Sequence, residues 1–240
     1  MKILFVGLGS IGQRHLSNLK KIKSQKTNKY FALREINNNK VIKDGKILKN
    51  KFLKNYYNIT YLNNKRDVQK IKPDVIFICN PSSMHLDTAL SLINYKKNIF
   101  IEKPLGSNNT KIKKLINISK KKQVYIFIGL QTRFSPLIKS LKKIINSNKY
   151  GEIIYSNVDF LTYLPNHHKY ENYEKSYASL KRLGGGAINC LIHEVDLINY
   201  LFGKPSKLLS FEKITHSIRV DAPDYFSSKL IYKNKFNINL

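Results

Sequence analysis

Several short stretches of this 240-residue chain carry residues whose types and spacing could do chemistry. The first is Gly7-Leu8-Gly9-Ser10-Ile11-Gly12, a G-x-G-x-x-G turn between the apolar run Lys2–Val6 and a helical pattern in which Leu16, Leu19 and Ile22 share a face with Gly12. In that setting the first glycine allows a tight turn, the second lets backbone approach a pyrophosphate, and the third lets helix and strand pack closely. Gly7, Gly9, Ser10, Ile11 and Gly12 therefore form a candidate phosphate cradle at a helix N-terminus, where unpaired N–H groups and the helix dipole favour an anion. Asn80-Pro81-Ser82-Ser83-Met84-His85 and Glu102-Lys103-Pro104 each follow a buried apolar run, at the edge where parallel sheets bind ligands. A fourth stretch, Gly184 to Asp196, sets Asn189 and Cys190 four and three residues before His193, and Asp196 three after it, on one helical face.

The elements that must position these residues alternate. Tyr30–Leu33 reads as a second strand ending at Arg34-Glu35, about where dinucleotide folds place the ribose-reading residue. Glu35 would accept hydrogen bonds from the ribose of NAD, whereas Arg34 would pair with the 2′-phosphate of NADP, and the residues alone leave both open. A hairpin on Asp44-Gly45 spans Val41 to Leu48. Ile59–Leu62, Val75–Cys79, Ile99–Ile101 and Val124–Ile128 read as further strands, the second and last as buried ones. Helices are expected at Arg66–Ile71, after His85, and from Asn108 to Lys121. Strands alternating with helices mean a doubly wound parallel sheet, so residues 1–129 read as an α/β Rossmann domain.

Past Leu130 the pattern changes. A helix follows Arg133-Phe134-Ser135-Pro136, then a long alternating strand from Glu152 to Tyr163 and a polar, aromatic loop holding His167, His168, Tyr170 and Tyr173. One helix is expected from Ala187 to about Phe202, and then strands near Leu208–Ile214, Tyr225–Tyr232 and Phe236–Leu240. Residues 130–240 thus read as an α+β domain on an open, mainly antiparallel sheet, incomplete at its C-terminal end.

Composition narrows the partners. The formal net charge of +28 invites a nucleic-acid reading, but arginine, the favoured group for bidentate phosphate and base contacts, supplies only Arg14, Arg34, Arg66, Arg133, Arg182 and Arg219. The lysines are spread over nearly every helix and loop. They read as a solvated coat with weak, salt-sensitive affinity for polyanions and no specific nucleic-acid partner. No apolar run approaches membrane-spanning length. The two cysteines, Cys79 and Cys190, lack ligand-like spacing, so no metal site is expected. The chain runs straight into a strand without an apolar leader, and the expected location is cytoplasmic.

Taken in order, the glycine turn with its following Gln13-Arg14-His15, Asn80-Pro81-Ser82-Ser83-Met84-His85, Glu102-Lys103-Pro104, Arg133-Phe134-Ser135-Pro136 and Gly184-Gly185-Gly186-Ala187-Ile188-Asn189-Cys190-Leu191-Ile192-His193-Glu194-Val195-Asp196 resemble the Gfo/Idh/MocA family of oxidoreductases. The resemblance implies an NAD- or NADP-binding domain and a substrate domain whose sheet forms a homo-oligomer interface. It implies an enzyme that transfers hydride between nicotinamide and a hydroxyl or carbonyl carbon of a sugar, cyclitol or sugar derivative. It assigns the catalytic lysine to Lys103 and the base to His193. Cofactor contacts fall on Gly7, Gly9, Ser10, Ile11, Gly12, Arg34, Asn80, Pro81, His85, Glu102 and Lys103, and substrate contacts on Lys103, Arg133, Asn189 and His193. Glu102 has two further readings, as an orienter of Lys103 or as a structural ion pair. Arg133 reads as a substrate ligand or as a tie between domains, and His167 and His168 as pocket-lining or solvated.

Two departures stand out. Family members usually carry an aspartate just before the histidine, where this chain has Asn189 and Cys190. They also usually run several tens of residues beyond the position of Leu240. The first departure gives the alternative reading, a weakened or inactive dinucleotide- or sugar-binding protein of the same fold.

Overall fold

The computed structural model describes residues 1–22, 27–33, 39–106, 108–233 and 236–240. It divides into two compact units, Met1–Gly129 together with His168–Tyr170, and Leu130–His167 together with Glu171–Leu240.

In the first unit the order is β1 (Lys2–Val6), α1 (Ser10–Lys21), β2 (Lys29–Leu33), β3 (Lys40–Lys43), β4 (Lys46–Phe52), α2 (Leu53–Tyr57), β5 (Ile59–Leu62), α3 (Lys65–Ile71), β6 (Val75–Ile78), α4 (His85–Leu92), β7 (Asn98–Ile101), α5 (Asn109–Lys122) and β8 (Ile126–Ile128). Among the described residues six of these strands form one parallel sheet, ordered β5-β2-β1-β6-β7-β8.

The sheet is buried on both faces because its strands send alternate side chains to opposite sides. Ile3 and Phe5 pack into a cluster with Leu16 of α1 and Leu53 and Tyr57 of α2. Leu4 and Val6 face the other way, into a cluster with Val68 of α3, Leu86, Ala89 and Leu92 of α4, and Leu115 of α5. Burying one such side chain contributes about 1.5–3 kcal/mol, so each face is held by many such terms. The doubly wound architecture expected for residues 1–129 follows from this two-sided burial.

Helix ends follow local chemistry. Asn64 caps α3 by accepting from the Asp67 N–H at 3.1 Å, and Asn108 caps α5 by accepting from Lys111 at 2.9 Å. Lys120, Lys121 and Lys122 close α5, where the helix dipole favours cations. The hairpin β3–β4 turns on Asp44 and Gly45, both with positive φ (49° and 72°).

One strand departs from expectation. Val124–Ile128 reads as buried, but only residues 126–128 pair, and β8 lies at the sheet edge with Phe127 57% exposed. An apolar run does not say whether its second face will be covered; strand order decides that.

The second unit holds α6 (Pro136–Ser147), β9 (Tyr155–Asn157), α7 (Leu164–His167), α8 (Ala187–Cys190), α9 (Ile192–Phe202), β10 (Lys207–Lys213), β11 (Tyr225–Ile231) and β12 (Asn237–Asn239). Its sheet runs β10-β11-β12-β9, with antiparallel pairs except for the parallel β12–β9 pair. Ile198 of α9 packs with Leu230, Tyr232 and Ile238 of the sheet.

Two expectations are corrected here. The long strand from Glu152 to Tyr163 shrinks to Tyr155–Asn157, because among the described residues only these three find a ladder partner, on β12. The single helix from Ala187 is broken at Leu191, whose ψ of 6° separates α8 from α9.

Candidate active site

In the first unit, the loops that follow β1, β6 and β7 lie at the carboxyl ends of adjacent strands, where the strand order reverses about β1. Ligands bind open parallel sheets at such a point. The loop after β1 is the glycine turn. Gly7 has φ +87°, and a Cβ there would stand 2.7 Å from the Asn80 nitrogen and 2.8 Å from the Cys79 carbonyl, so the loops after β1 and β6 touch backbone to backbone. A Cβ on Gly12 would stand 2.6 Å from the Gly7 carbonyl oxygen. Gly9 is different, since its Cβ would meet open space.

Gly9 is also the N-cap of α1. Among the described residues no side chain caps the helix, and its first turn holds no acidic residue, so the N–H groups at its start are left to an incoming group. An open face, an uncapped helix start and glycines packed against neighbouring backbone fit a dinucleotide pyrophosphate. Asn80 adds a further polar group. Its Nδ2 donates to Thr88 Oγ1 at 2.9 Å, while its Oδ1 is buried without a partner among the described residues. Arg34, and the alternative Glu35, lie outside the described residues.

The loop after β7 carries Glu102 and Lys103, with a cis peptide between Lys103 and Pro104. Glu102 is 8% exposed, and both its oxygens are engaged inside the unit. Oε1 lies 2.5 Å from His15 Nε2, and Oε2 accepts the Lys103 N–H at 3.2 Å. Its carboxylate thus ties α1 to the backbone of Lys103, and His15 sits against the rings of Phe77 and Phe100, tilted to one and edge-on to the other. Cys79, buried beside the glycine turn, has its thiol pushed well above the ordinary range by burial and then by the nearby Glu102 charge, so it stays neutral. His85 lies under both loops, with Nε2 2.8 Å from the Asn80 carbonyl and Nδ1 2.7 Å from the Pro104 carbonyl.

Sequence reading missed Gln13. This side chain, 1% exposed, donates to the carbonyls of Leu8 and Lys40 at 3.1 Å each and accepts from the Ile42 N–H at 2.7 Å. It fastens the hairpin β3–β4 to the glycine turn. The position looked like an ordinary helix residue because two of its three partners come from 27 and 29 residues away.

In the second unit, Arg133 has a partner that its neighbours in sequence do not reveal. Its Nε donates to Asp196 Oδ2 at 2.6 Å and its Nη2 to the other carboxylate oxygen, a bidentate pair tying the residues before α6 to α9. Asp196 is 7% exposed, and the pair holds the guanidinium above even its ordinary high pKa. Asn189 directs its Nδ2 to the carbonyls of Gly184 and Gly185, at 3.1 and 3.2 Å, so that end of its amide fixes the glycine triplet. His193, at the start of α9, has its Nε2 3.4 Å from Gln131 Nε2, a neighbour sequence reading did not single out. His167 ends α7, whereas His168, which belongs to the first unit, stacks on Tyr170 with ring centroids 5.1 Å apart. Among the described residues there is no group of three His, Cys, Asp or Glu side chains that could hold a metal ion, and no helix long and apolar enough to cross a membrane.

A doubly wound parallel sheet with a glycine turn at its switch point is a dinucleotide-binding arrangement, here followed by a second unit on a mainly antiparallel sheet. The model of the Gfo/Idh/MocA oxidoreductase family, NAD-binding Rossmann fold, matches residues 1–130, and that of the family's C-terminal domain matches residues 138–240. The chain belongs to the Gfo/Idh/MocA oxidoreductase family.

Among curated relatives, myo-inositol 2-dehydrogenase of Thermotoga maritima is 24% identical over 205 residues, covering 85% of this chain and 55% of the relative. The scyllo-inositol 2-dehydrogenase (NAD(+)) of Bacillus subtilis is 27% identical over 135 residues, covering 54% and 35%. Among solved structures, the WlbA dehydrogenase from Bordetella pertussis in complex with NADH and UDP-GlcNAcA superposes with a TM-score of 0.78 at 18% identity, over 100% of this chain and 70% of that one. The chain spans about half the length of the curated relatives it matches.

Proposed function

We propose that the chain binds NAD or NADP at the glycine turn and catalyses reversible hydride transfer between nicotinamide and a hydroxyl or carbonyl carbon of a sugar, cyclitol or sugar derivative. The observation that carries this reading is the open space at Gly9 before an uncapped helix, flanked by two glycines whose Cβ positions are filled by backbone. The relatives' names, two inositol dehydrogenases and a dehydrogenase bound to NADH and a sugar nucleotide, support the substrate class.

When bound, the nicotinamide supplies the hydride acceptor. The rest of the chemistry falls to the chain. The N–H groups at the start of α1 hold the pyrophosphate. Asn80 Oδ1 is an acceptor awaiting a donor. Lys103 holds the substrate oxygen by hydrogen bond and stabilises negative charge developing on it. His193 takes the hydroxyl proton, a role suited to an imidazole near neutral pH. Arg133, already paired with Asp196, acts by fixing the start of α9 rather than as the first contact of substrate.

Asn189 favours the second reading. Its Nδ2 is spent on the glycine triplet, and an amide is in any case a neutral substitute for a carboxylate beside His193. In the serine-protease triad the loss of a charged orienter costs about 10⁴ in rate. A binding protein that has lost the chemistry is the alternative.

The outward row of the second unit's sheet supports a homo-oligomer through that face. Leu209 and Phe211 stand on the side opposite Leu230, and both are exposed.

The test is turnover on a panel of sugars, cyclitols and nucleotide sugars, followed by the absorbance of reduced nicotinamide. Lys103→Ala and His193→Ala should each abolish turnover, and His193→Ala should leave cofactor affinity intact. Turnover surviving both changes removes these residues from the mechanism. Tight NADH binding with no turnover on any substrate selects the binding-protein reading.

A further inference from the structure

One side chain bridges the loops after β6 and β7. His85, the first residue of α4, is 1% exposed and sets its two ring nitrogens 2.8 Å from the Asn80 carbonyl and 2.7 Å from the Pro104 carbonyl. The same helix start grips both loops a second time. Thr88 accepts from the Asn80 side chain at 2.9 Å, and a Cβ on Gly106, whose φ is +144°, would stand 2.7 Å from Leu86. Asn80 precedes Pro81, and Pro104 follows Lys103, so whatever sets the distance between these carbonyls sets the spacing of the candidate site.

We propose that His85 is a positioning residue that fixes the spacing between the Asn80-Pro81 loop and Lys103, and that it does so fully only as an imidazolium. The proposal rests on the reading that this crevice takes a dinucleotide. Carbonyl oxygens only accept hydrogen bonds. A neutral imidazole carries one N–H and can satisfy one of the two carbonyls, leaving the other nitrogen lone pair against an oxygen. The imidazolium donates to both.

The surroundings set when that happens. Burial pushes the His85 pKa below its ordinary value of 6.5, while the two carbonyls and the Glu102 charge act in the opposite sense. Glu102, at the end of β7, is the charge that faces the ring, and it is shared with His15 from α1. Asp87, on the same helix as His85, is exposed and paired with Lys111 at 2.5 Å, and Cys79 on β6's end is neutral. The sign follows. The double bridge is complete below the lowered pKa and loses one bond as pH rises through it, so the loops are held together in acid and relax toward neutrality.

Two measurements on the whole chain test this. Long-range nitrogen–proton spectra of the imidazoles in the cofactor-free protein report ring protonation directly, with His85 assigned by His85→Gln. NADH titrations over the same pH range report the spacing. The expected result is two protonated nitrogens on His85 in acid and one at neutral pH, with a midpoint below 6.5. Across that midpoint the NADH dissociation constant should rise about threefold to tenfold, the worth of one hydrogen bond. His85→Gln should flatten that step, whereas His15→Gln should keep it.

A His85 ring that stays in one neutral form throughout, or a pH step in NADH affinity unchanged by His85→Gln, would overturn the proposal. If His85→Gln does not fold, the wild-type spectra and the wild-type NADH profile decide. Folded wild-type protein with no affinity for either NADH or NADPH at any pH removes the dinucleotide reading itself. Intact but pH-independent NADH binding removes the positioning role alone.

Discussion

Replacing Gly9 and Gly12 separately by alanine should produce opposite effects on folding and binding, although both belong to one motif. At Gly9 the backbone has φ −69°, which any residue adopts, and the added methyl meets nothing within 4 Å. Alanine is a poorer N-cap than glycine, at a cost of up to about 1 kcal/mol. It also removes unfolded-chain entropy worth about 0.4–1 kcal/mol in the opposite sense. The stability of Gly9→Ala should therefore lie within about 1 kcal/mol of wild type. The methyl occupies the space a pyrophosphate needs, however. Losing a charge-assisted hydrogen bond worth about 1.5–3 kcal/mol should weaken NADH binding by about tenfold to a hundredfold. At Gly12 helix propensity predicts a gain of about 1 kcal/mol for alanine. Against it stands the new Cβ, 2.6 Å from the Gly7 carbonyl oxygen. Overpacking against backbone costs about 1–3 kcal/mol, so Gly12→Ala should be up to about 2 kcal/mol less stable despite its better helix former. Urea unfolding and NADH fluorescence titration on the same preparations check both. Gly9→Ala with wild-type NADH affinity would refute the placement of the ligand. Gly12→Ala more stable by the full propensity gain would refute the close approach of α1 to the turn.

Two further outcomes are expected. Gln13→Ala deletes three hydrogen bonds at a buried position and should cost about 2–4 kcal/mol, with amide exchange rising first in the hairpin β3–β4; a urea midpoint equal to wild type would contradict it. Asp224 should titrate below its ordinary value of 3.8, because although burial raises its carboxyl, hydrogen bonds from the Thr215 hydroxyl and N–H outweigh burial. That group's contribution is present above the ordinary value and lost as pH falls through the lowered one, so Thr215→Val should move the carboxyl's titration upward by carbon NMR and reduce acid resistance only at the acid end.

The first unit was legible because its signals are local. Apolar runs such as Ile3–Val6 and Ile76–Ile78 announce strands, and the hairpin was announced by Asp44-Gly45. Legibility failed where a partner decides the outcome. Val124–Ile128 has the composition of a central strand and sits at an edge, and most of Glu152–Tyr163 has no strand to pair with among the described residues. At the site, the glycines and Lys103 could be found by motif, but the partners that fix them could not. His15 meets Glu102 across 87 residues and Arg133 meets Asp196 across 63. Such contacts carry no periodicity. Only the fold states them.

The central position of β1 bears on how the protein is made. Ile3 pairs with Tyr30, 27 residues on, and with Val75, 72 residues on. During synthesis the first strand leaves the ribosome with both edges unpaired, acquires β2 early, and waits for β6 before its second edge is covered. Thermodynamics hardly notices, since closing the longer loop costs only about 1 kcal/mol more than the shorter. Kinetics does notice. Until Val75 emerges, within the first third of these 240 residues, an apolar strand keeps one edge open to chaperones or to another nascent chain.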